Sequence, residues 1–210
     1  MEIKLESTSK GTRILFAETA KKKRSLINDM IEILESYGYQ EMMIPIIQKS
    51  ETFASKVGEE NQNMMYNFKD RGERDLCLAP EYTAVIQQLA KDKFKFIKDV
   101  KLFYIGECFR GEKPQAGRLR QFTQFGVEVI NPSKDYLVEI VEIDKKLIEL
   151  STNNYELNLD ATRGLDYYVG GKGFEIACTE LGAQKQVCGG GSYEGGIGFA
   201  VGIDRMLLCK

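Results

Sequence analysis

The sequence predicts an antiparallel α+β fold, and three observations carry that expectation. Several apolar stretches of strand length follow one another with only a loop between them. Helical patterns are few and irregularly placed among these stretches. A parallel βαβ order would need a helical crossover between successive strands, and several candidate strand pairs have none. The 210 residues suit a single domain, residues 1–210, with its own core.

In residues 18–37, Leu26, Ile27, Met30, Ile31 and Leu34 recur at helical spacing, and Gly38 follows as a C-cap. Residues 39–48 are apolar and too short for a second helix. They read as a strand, with Pro45 marking an edge or an irregularity. Pro80 introduces a short helix at 81–90. Residues 101–109 and 121–130 read as strands, joined by a charged loop at 110–120 that contains Gly and Pro. A helix at 136–150 gathers Leu137, Ile140, Val141, Leu147 and Ile148 on one face. Strand candidates follow at 155–160, at 174–178 and around Val187, and a Gly-rich stretch leads into an expected closing helix at 201–208.

Composition removes several function classes. Lys+Arg 29 against Asp+Glu 31 leaves a net charge of −2, so no global basic field drives nucleic-acid binding. The chain has no histidine, which excludes imidazole acid–base catalysis, Ser/His/Asp and Cys/His nucleophiles, and imidazole metal sites. Its 5 cysteines are odd in number and form no CxxC, so a zinc ribbon or disulfide scaffold does not fit. Buried free thiols in a reducing cytoplasm are expected instead. No apolar run approaches the ~20 residues of a membrane span, and the first residues lack the apolar centre of a signal peptide. The expectation is a cytoplasmic protein with no membrane partner and no protein-held metal.

The strand at 121–130 is the most informative segment. Thr123, Phe125, Val127 and Val129 share one face, and Phe122, Gln124, Gly126 and Glu128 share the other. An aromatic ring, an amide, bare backbone and a carboxylate in a row suit the floor of a ligand site. A solvent-facing strand would show the same alternation, but the preceding loop tilts the balance. It carries Arg110, Lys113, Arg118 and Arg120 with Glu112, Pro114 and Gly117, and guanidinium forks suit phosphate oxygens. Two further clusters stand out. One is the run Arg163-Gly-Leu-Asp-Tyr-Tyr168. The other is Gly189-Gly-Gly-Ser-Tyr193, continuing through Gly195 to Arg205. The glycines permit close backbone approach but match neither GxGxxG in its strand–turn–helix setting nor GxxxxGK[ST].

Taken together, these segments resemble the catalytic core of the histidyl-tRNA synthetase family, a class II aminoacyl-tRNA synthetase family. Residues 109–124, continuing to Glu128, resemble motif 2 (about 101–130). Residues 163–168 resemble the histidine signature, and Gly198-Phe-Ala-Val-Gly-Ile-Asp-Arg205 resembles motif 3 (about 198–208). Gly11-Thr-Arg13 resembles the N-terminal segment. Tyr37-Gly-Tyr39 through Pro45 resembles motif 1 (about 26–48), and Pro80-Glu81-Tyr-Thr83 the amino-acid-binding turn.

The resemblance implies a six-stranded antiparallel sheet flanked by helices, a homodimer through motif 1, and ATP with Mg2+ as cofactors. It places Arg110 on the α-phosphate and Glu112 on the adenine. Phe122 and Arg205 would sandwich the adenine ring, and Arg118 and Arg205 would reach the outer phosphates. Glu81, Thr83 and Gln124 would hold the amino end of histidine, and Glu128 and Tyr168 would read its imidazole. Arg163 would lie near both the carboxylate and the α-phosphate, which makes Arg163 and Arg110 the catalytic pair.

The chain departs from the family at Ile14, Gln48, Ala79, Ser192 and Asp204, where Asp, Glu, Arg, Arg and Glu are usual. Glu128 and Arg163 are separated by one helix and one strand, too little for the family's tRNA-contacting insertion, and the expectation is that this insertion and the anticodon-binding domain are both absent. The leading expectation is an ATP-dependent enzyme that forms histidyl-adenylate. The alternative is a non-catalytic histidine-sensing subunit resembling the regulatory partner of ATP phosphoribosyltransferase. In either case tRNA binding is expected to be weak or absent. Of the cations in loop 110–120, ATP would take Arg110 and Arg118, leaving Lys113 and Arg120.

Overall fold

The computed structural model describes all residues except 1, 4–7, 55, 58–61, 183 and 210. Its centre is a seven-stranded sheet. In chain order the strands are β3 (Gln40–Glu41), β7 (Val100–Phe109), β8 (Gln121–Ile130), β9 (Tyr155–Thr162), β10 (Lys172–Cys178), β11 (Gln186–Tyr193) and β12 (Gly196–Gly202). Across the sheet the order is β3-β7-β8-β12-β11-β10-β9. Every pairing is antiparallel except β3 on β7. The class is α+β, as the sequence predicts. The seventh strand is a two-residue parallel edge beyond the expected six.

Outside the main sheet the described residues form one strand pair and one three-stranded sheet. β1 (Glu2–Ile3) pairs with β2 (Ile14–Leu15), and β4 (Ile47–Lys49) and β5 (Asn67–Lys69) flank β6 (Asp75–Leu78). Among the described residues the helices include α1 (Glu18–Ser36), α2 (Thr83–Asp92), α3 (Leu137–Glu149) and the single turn α4 (Ile203–Met206).

Strand alternation sorts the two faces. Phe125, Val127 and Val129 of β8 join Leu26, Met30 and Leu34 of α1 and Ile140, Ile143 and Leu147 of α3 in the main core. On the other face Leu102, Tyr104 and Ile130 pack with Tyr82 and Ile86 around α2. That second face is the one on which Phe122, Gln124 and Glu128 stand. α2 begins where it does because the Glu81 carboxylate accepts the backbone N–H groups of Thr83 (2.7 Å) and Ala84 (2.9 Å). These are donors that a helix start leaves without partners.

Two expectations need correction. Residues 39–48 are not one strand: β3 and β4 lie in different sheets, and the chain crosses between them around Pro45, which has no N–H to give a ladder. The closing helix is also shorter than 201–208. Gly196–Gly202 is strand β12, paired along its length with β8 and β11, and helix is confined to Ile203–Met206. The glycines that read as a turn signal are strand positions that carry other side chains on their bare faces. β5 and β6 were not expected, being short and largely polar. Among the described residues no helix is long and apolar enough to cross a membrane.

Candidate active site

The hairpin β7–β8, its loop, the segment 163–168 and the glycine-bearing strands β11 and β12 enclose a cavity of about 470 Å3. Glu81, Thr83, Arg110, Glu112, Arg118, Phe122, Gln124, Arg163, Tyr168 and Arg205 all line it. Of the residues given a role in ATP or histidine binding by the resemblance, Glu128 is the one that does not. It lies buried one layer down, with Oε1 accepting the Thr83 hydroxyl (2.9 Å) and Oε2 the Tyr193 hydroxyl (2.8 Å). Burial is the main cause that pushes its carboxyl up to about 8. The two hydrogen bonds oppose that rise, and the neighbouring Glu81 adds to it.

Glycines make this packing feasible at two points. A Cβ on Gly198 would run into the Glu128 carboxylate, and one on Gly189 would run into the Arg163 guanidinium. With those faces bare, Arg163 lies along the sheet floor, its guanidinium 5.3 Å from the centre of the Tyr168 ring. Arg163 makes a 3.5 Å ion pair with Glu175, and its buried Nε has no hydrogen-bond partner.

The other cations converge from the opposite wall. Arg110 donates from Nε to the Pro80 carbonyl (2.9 Å) and stacks over Phe122 at 5.3 Å. Arg118 is ion-paired with Glu112. Arg205 donates to the carbonyls of Gly117 and Gln186, each at 2.7 Å. Burial, followed by the charges of Arg110 and Arg118, pulls the Arg205 pKa down. Three guanidinium groups therefore repel one another across the cavity, and a bound polyanion would relieve that repulsion. Arg110 lies over the Phe122 ring, and Arg205, the residue expected on the far side of a bound adenine, stands on the same cavity wall.

Asp204, next to Arg205, acts as a clamp. It accepts the Thr123 backbone N–H (2.6 Å), pairs with Arg13 and lies 3.5 Å from Lys23. The shorter acid in the place of Glu thus ties the N-terminal segment and β8 to α4. Two tyrosines were not chosen from the sequence. Tyr193 donates to Glu128, and Tyr167 donates to Glu81 (3.4 Å). Both sit in the quoted clusters, and the signal that would have found them is the need of two buried acids for O–H donors. No group of three or more acidic or thiol side chains stands ready for a metal among the described residues.

An antiparallel sheet with an arginine-lined cavity over its central hairpin, a glycine-bearing strand as the far wall and an acid-capped turn at one end is the architecture of a class II aminoacyl-tRNA synthetase catalytic domain. The comparisons narrow this. The histidyl-tRNA synthetase family model matches residues 11–153. The histidine–tRNA ligase of Clostridioides difficile is 30% identical, over 97% of this chain and 74% of the relative. The chain belongs to the histidyl-tRNA synthetase family. The alignment with that relative runs over 313 residues against 210 in the whole chain, so the relative carries roughly a hundred residues inside the matched span that this chain lacks. The apo histidyl-tRNA synthetase of S. aureus superposes with a TM-score of 0.76 at 28% identity, covering 97% of this chain and 70% of that one. A Bacillus halodurans chain titled as an ATP phosphoribosyltransferase regulatory subunit/histidyl-tRNA synthetase shares the fold, with a TM-score of 0.79 at 16% identity. It covers 97% of this chain and 83% of that one.

Proposed function

We propose that this chain activates histidine with ATP, releasing pyrophosphate and forming histidyl-adenylate. The observation that supports this reading is the gathering of four arginines and an aromatic platform, with Glu81, Thr83 and Gln124, in one cavity. Its volume of about 470 Å3 lies within the roughly 300–1,000 Å3 of small-molecule sites. A histidine carboxylate oxygen attacks the α-phosphorus in line, and the bond to the bridging oxygen breaks as pyrophosphate departs. No protein nucleophile is needed, so positioning and charge neutralisation do the work. Arg110 and Arg163 hold the transferring group, Arg118 and Arg205 the outer phosphates, and Glu112 and Phe122 the adenine. Mg2+ would shield the phosphate charge. With no acidic cluster among the described residues, the fit is to a cation that arrives on the triphosphate and keeps most of its waters.

Glu81, Thr83 and Gln124 take the amino end of histidine, and Tyr168 faces the imidazole, with Glu128 one layer below holding the Thr83 and Tyr193 hydroxyls in place. A buried hydroxyl left without its acceptor costs about 1–3 kcal/mol, and Glu128 is the acceptor for both the Thr83 and Tyr193 hydroxyls. Glu128→Ala should therefore weaken histidine binding roughly ten- to hundredfold by calorimetry. Equal affinity in wild type and variant would remove Glu128 from that role.

A second reading is the histidine-sensing regulatory subunit, with ATP phosphoribosyltransferase as partner. It is favoured by the roughly hundred residues missing from the matched span and by the Arg118–Glu112 ion pair, which neutralises part of the phosphate wall internally. Single-turnover mixing of the protein with histidine, ATP and Mg2+, read by mass spectrometry, separates the two. Near-stoichiometric histidyl-adenylate supports the enzyme. Histidine binding without adenylate supports the regulator.

We also expect a homodimer through the motif 1 stretch. Met43 is 85% exposed, and Ile46 and Ile47 beside it also face solvent. An isologous pairing would cover such a patch on both copies. Light scattering at micromolar concentration should give twice the chain mass, and a monomer would contradict the pairing. Duplex tRNA should bind weakly through loop 110–120. Its Arg120 is engaged internally with the carbonyls of Glu112 (3.0 Å) and Lys10 (3.5 Å), which leaves Lys113.

A further inference from the structure

A second basic surface lies at the other end of the central hairpin. β7 and β8 are each 10 residues long, so the turn that enters β7 stands roughly 30 Å from loop 110–120. Residues 91–98 read Lys-Asp-Lys-Phe-Lys-Phe-Ile-Lys. Phe94 turns inward against the α2 cluster, while Phe96 is 88% exposed and Ile97 beside it is half-exposed. Lys91 pairs with Glu194, and Lys101 with Glu139. Lys93, Lys95, Lys98 and Lys134 are exposed and make no ion pair among the described residues. Lys91 and Lys93 also complement the C-terminal end of α2, but Lys95, Lys98 and Lys134 lie beyond its reach.

This turn is held rigidly. Asn131 donates from Nδ2 to the carbonyls of Phe94 (2.7 Å) and Ile97 (2.9 Å). Asp99 accepts from the Ser133 backbone (2.7 Å) and hydroxyl (2.6 Å). Both clamp residues have positive φ, +54° at Asp99 and +50° at Asn131, a conformation that persists only where its surroundings enforce it. The turn thus displays an aromatic ring among exposed cations, of which Lys134 also lies 4.8 Å from the centre of the Tyr136 ring.

We infer that this turn binds a single-stranded segment of RNA, with Phe96 stacking on a base and Lys93, Lys95, Lys98 and Lys134 meeting phosphates. Exposed aromatics interleaved with cations are the means by which proteins hold unpaired strands. An anionic lipid surface would also attract the lysines. However, the Lys95 ammonium already sits 5.5 Å from the Phe96 ring centre, and inserting that ring into acyl chains would dehydrate the ammonium with it. Stacking against a base leaves Lys95 free to meet the adjacent phosphate.

The test titrates the full-length chain into fluorescein-labelled oligouridylate of about fifteen nucleotides, with duplex RNA of equal length and phosphatidylserine vesicles in parallel. Oligouridylate should bind at low salt and bind better than the duplex. Phe96→Ala should weaken it roughly five- to hundredfold. Replacing Lys93, Lys95 and Lys98 together by Ala should lower the log–log salt slope by about 2, at ~0.7 per phosphate of a single strand. All four positions are exposed, and unchanged thermal midpoints would show that the variants fold. Failure to bind oligouridylate, binding that neither variant alters, or Phe96-dependent binding to vesicles alone would each overturn the inference. Histidine activation would stand in any of those cases.

Discussion

The stability of Asp144→Ala relative to wild type should shift in the variant's favour by roughly 3–4 kcal/mol as the pH rises from 4 to 8. Asp144 sits on α3 inside the main core with no exposed surface, and neither carboxylate oxygen has a hydrogen-bond partner. The Cys188 thiol on β11 faces it without making a well-formed hydrogen bond, and Tyr155 is the other titratable group nearby. Burial pushes the Asp144 carboxyl up to about 7, from 3.8 in the unfolded chain. The folded state therefore holds a proton that the unfolded state releases. That stabilisation is complete below about pH 3.8 and is lost as the pH rises through 7. At about 1.36 kcal/mol per unit, the loss sums to about 4 kcal/mol. Glu128 contributes a fall of the same sign in both proteins, so the measurement is the difference between two urea-unfolding profiles over pH 4–8. Parallel profiles would show that Asp144 has a partner or stays solvated.

Arg110→Ala and Arg163→Ala should each lower histidine activation by roughly a hundred- to thousandfold, the usual loss when one preorganised donor to a developing charge is removed. The two arginines face the cavity with unequal freedom. Arg110 is held by one carbonyl and by stacking on Phe122, so part of its fork is free to meet phosphate oxygens. Arg163 is fixed along the glycine floor with a buried, unpartnered Nε, a group that gains a partner only when a ligand arrives. Arg110→Lys should recover little, because an ammonium cannot reproduce a two-pronged fork. Activity within tenfold of wild type in both Ala variants would place the chemistry elsewhere.

Much of the fold was legible in the sequence because α1 and α3 bury one face each and β7 and β8 set an apolar core face against a more polar one, and burial writes a period into the residues. The alternation in β8 separates core from cavity face residue by residue: Phe125, Val127 and Val129 pack inward, while Phe122 and Gln124 line the cavity. β12 was hidden because its glycines supply no side-chain pattern. Their information lies in what packs onto them, the Glu128 carboxylate over Gly198 and the Arg163 guanidinium over Gly189. β4 was merged with β3 because an apolar run gives no sign that it changes sheet. The site residues were legible as types, since arginines, an aromatic ring and carboxylates in order suggest a nucleotide and an amino acid. Their partners were not. Tyr193, Tyr167 and Arg13 each act on an acid far away in the chain, at Glu128, Glu81 and Asp204, and no local spacing signals such a contact.

The reading of this chain as a histidine-activating enzyme rests on one reaction, the histidine-dependent exchange of labelled pyrophosphate into ATP in the absence of tRNA. The account predicts exchange that requires histidine and Mg2+, saturates with both substrates, and falls a hundred- to thousandfold in Arg163→Ala. No exchange above background from folded protein that still binds histidine would contradict it.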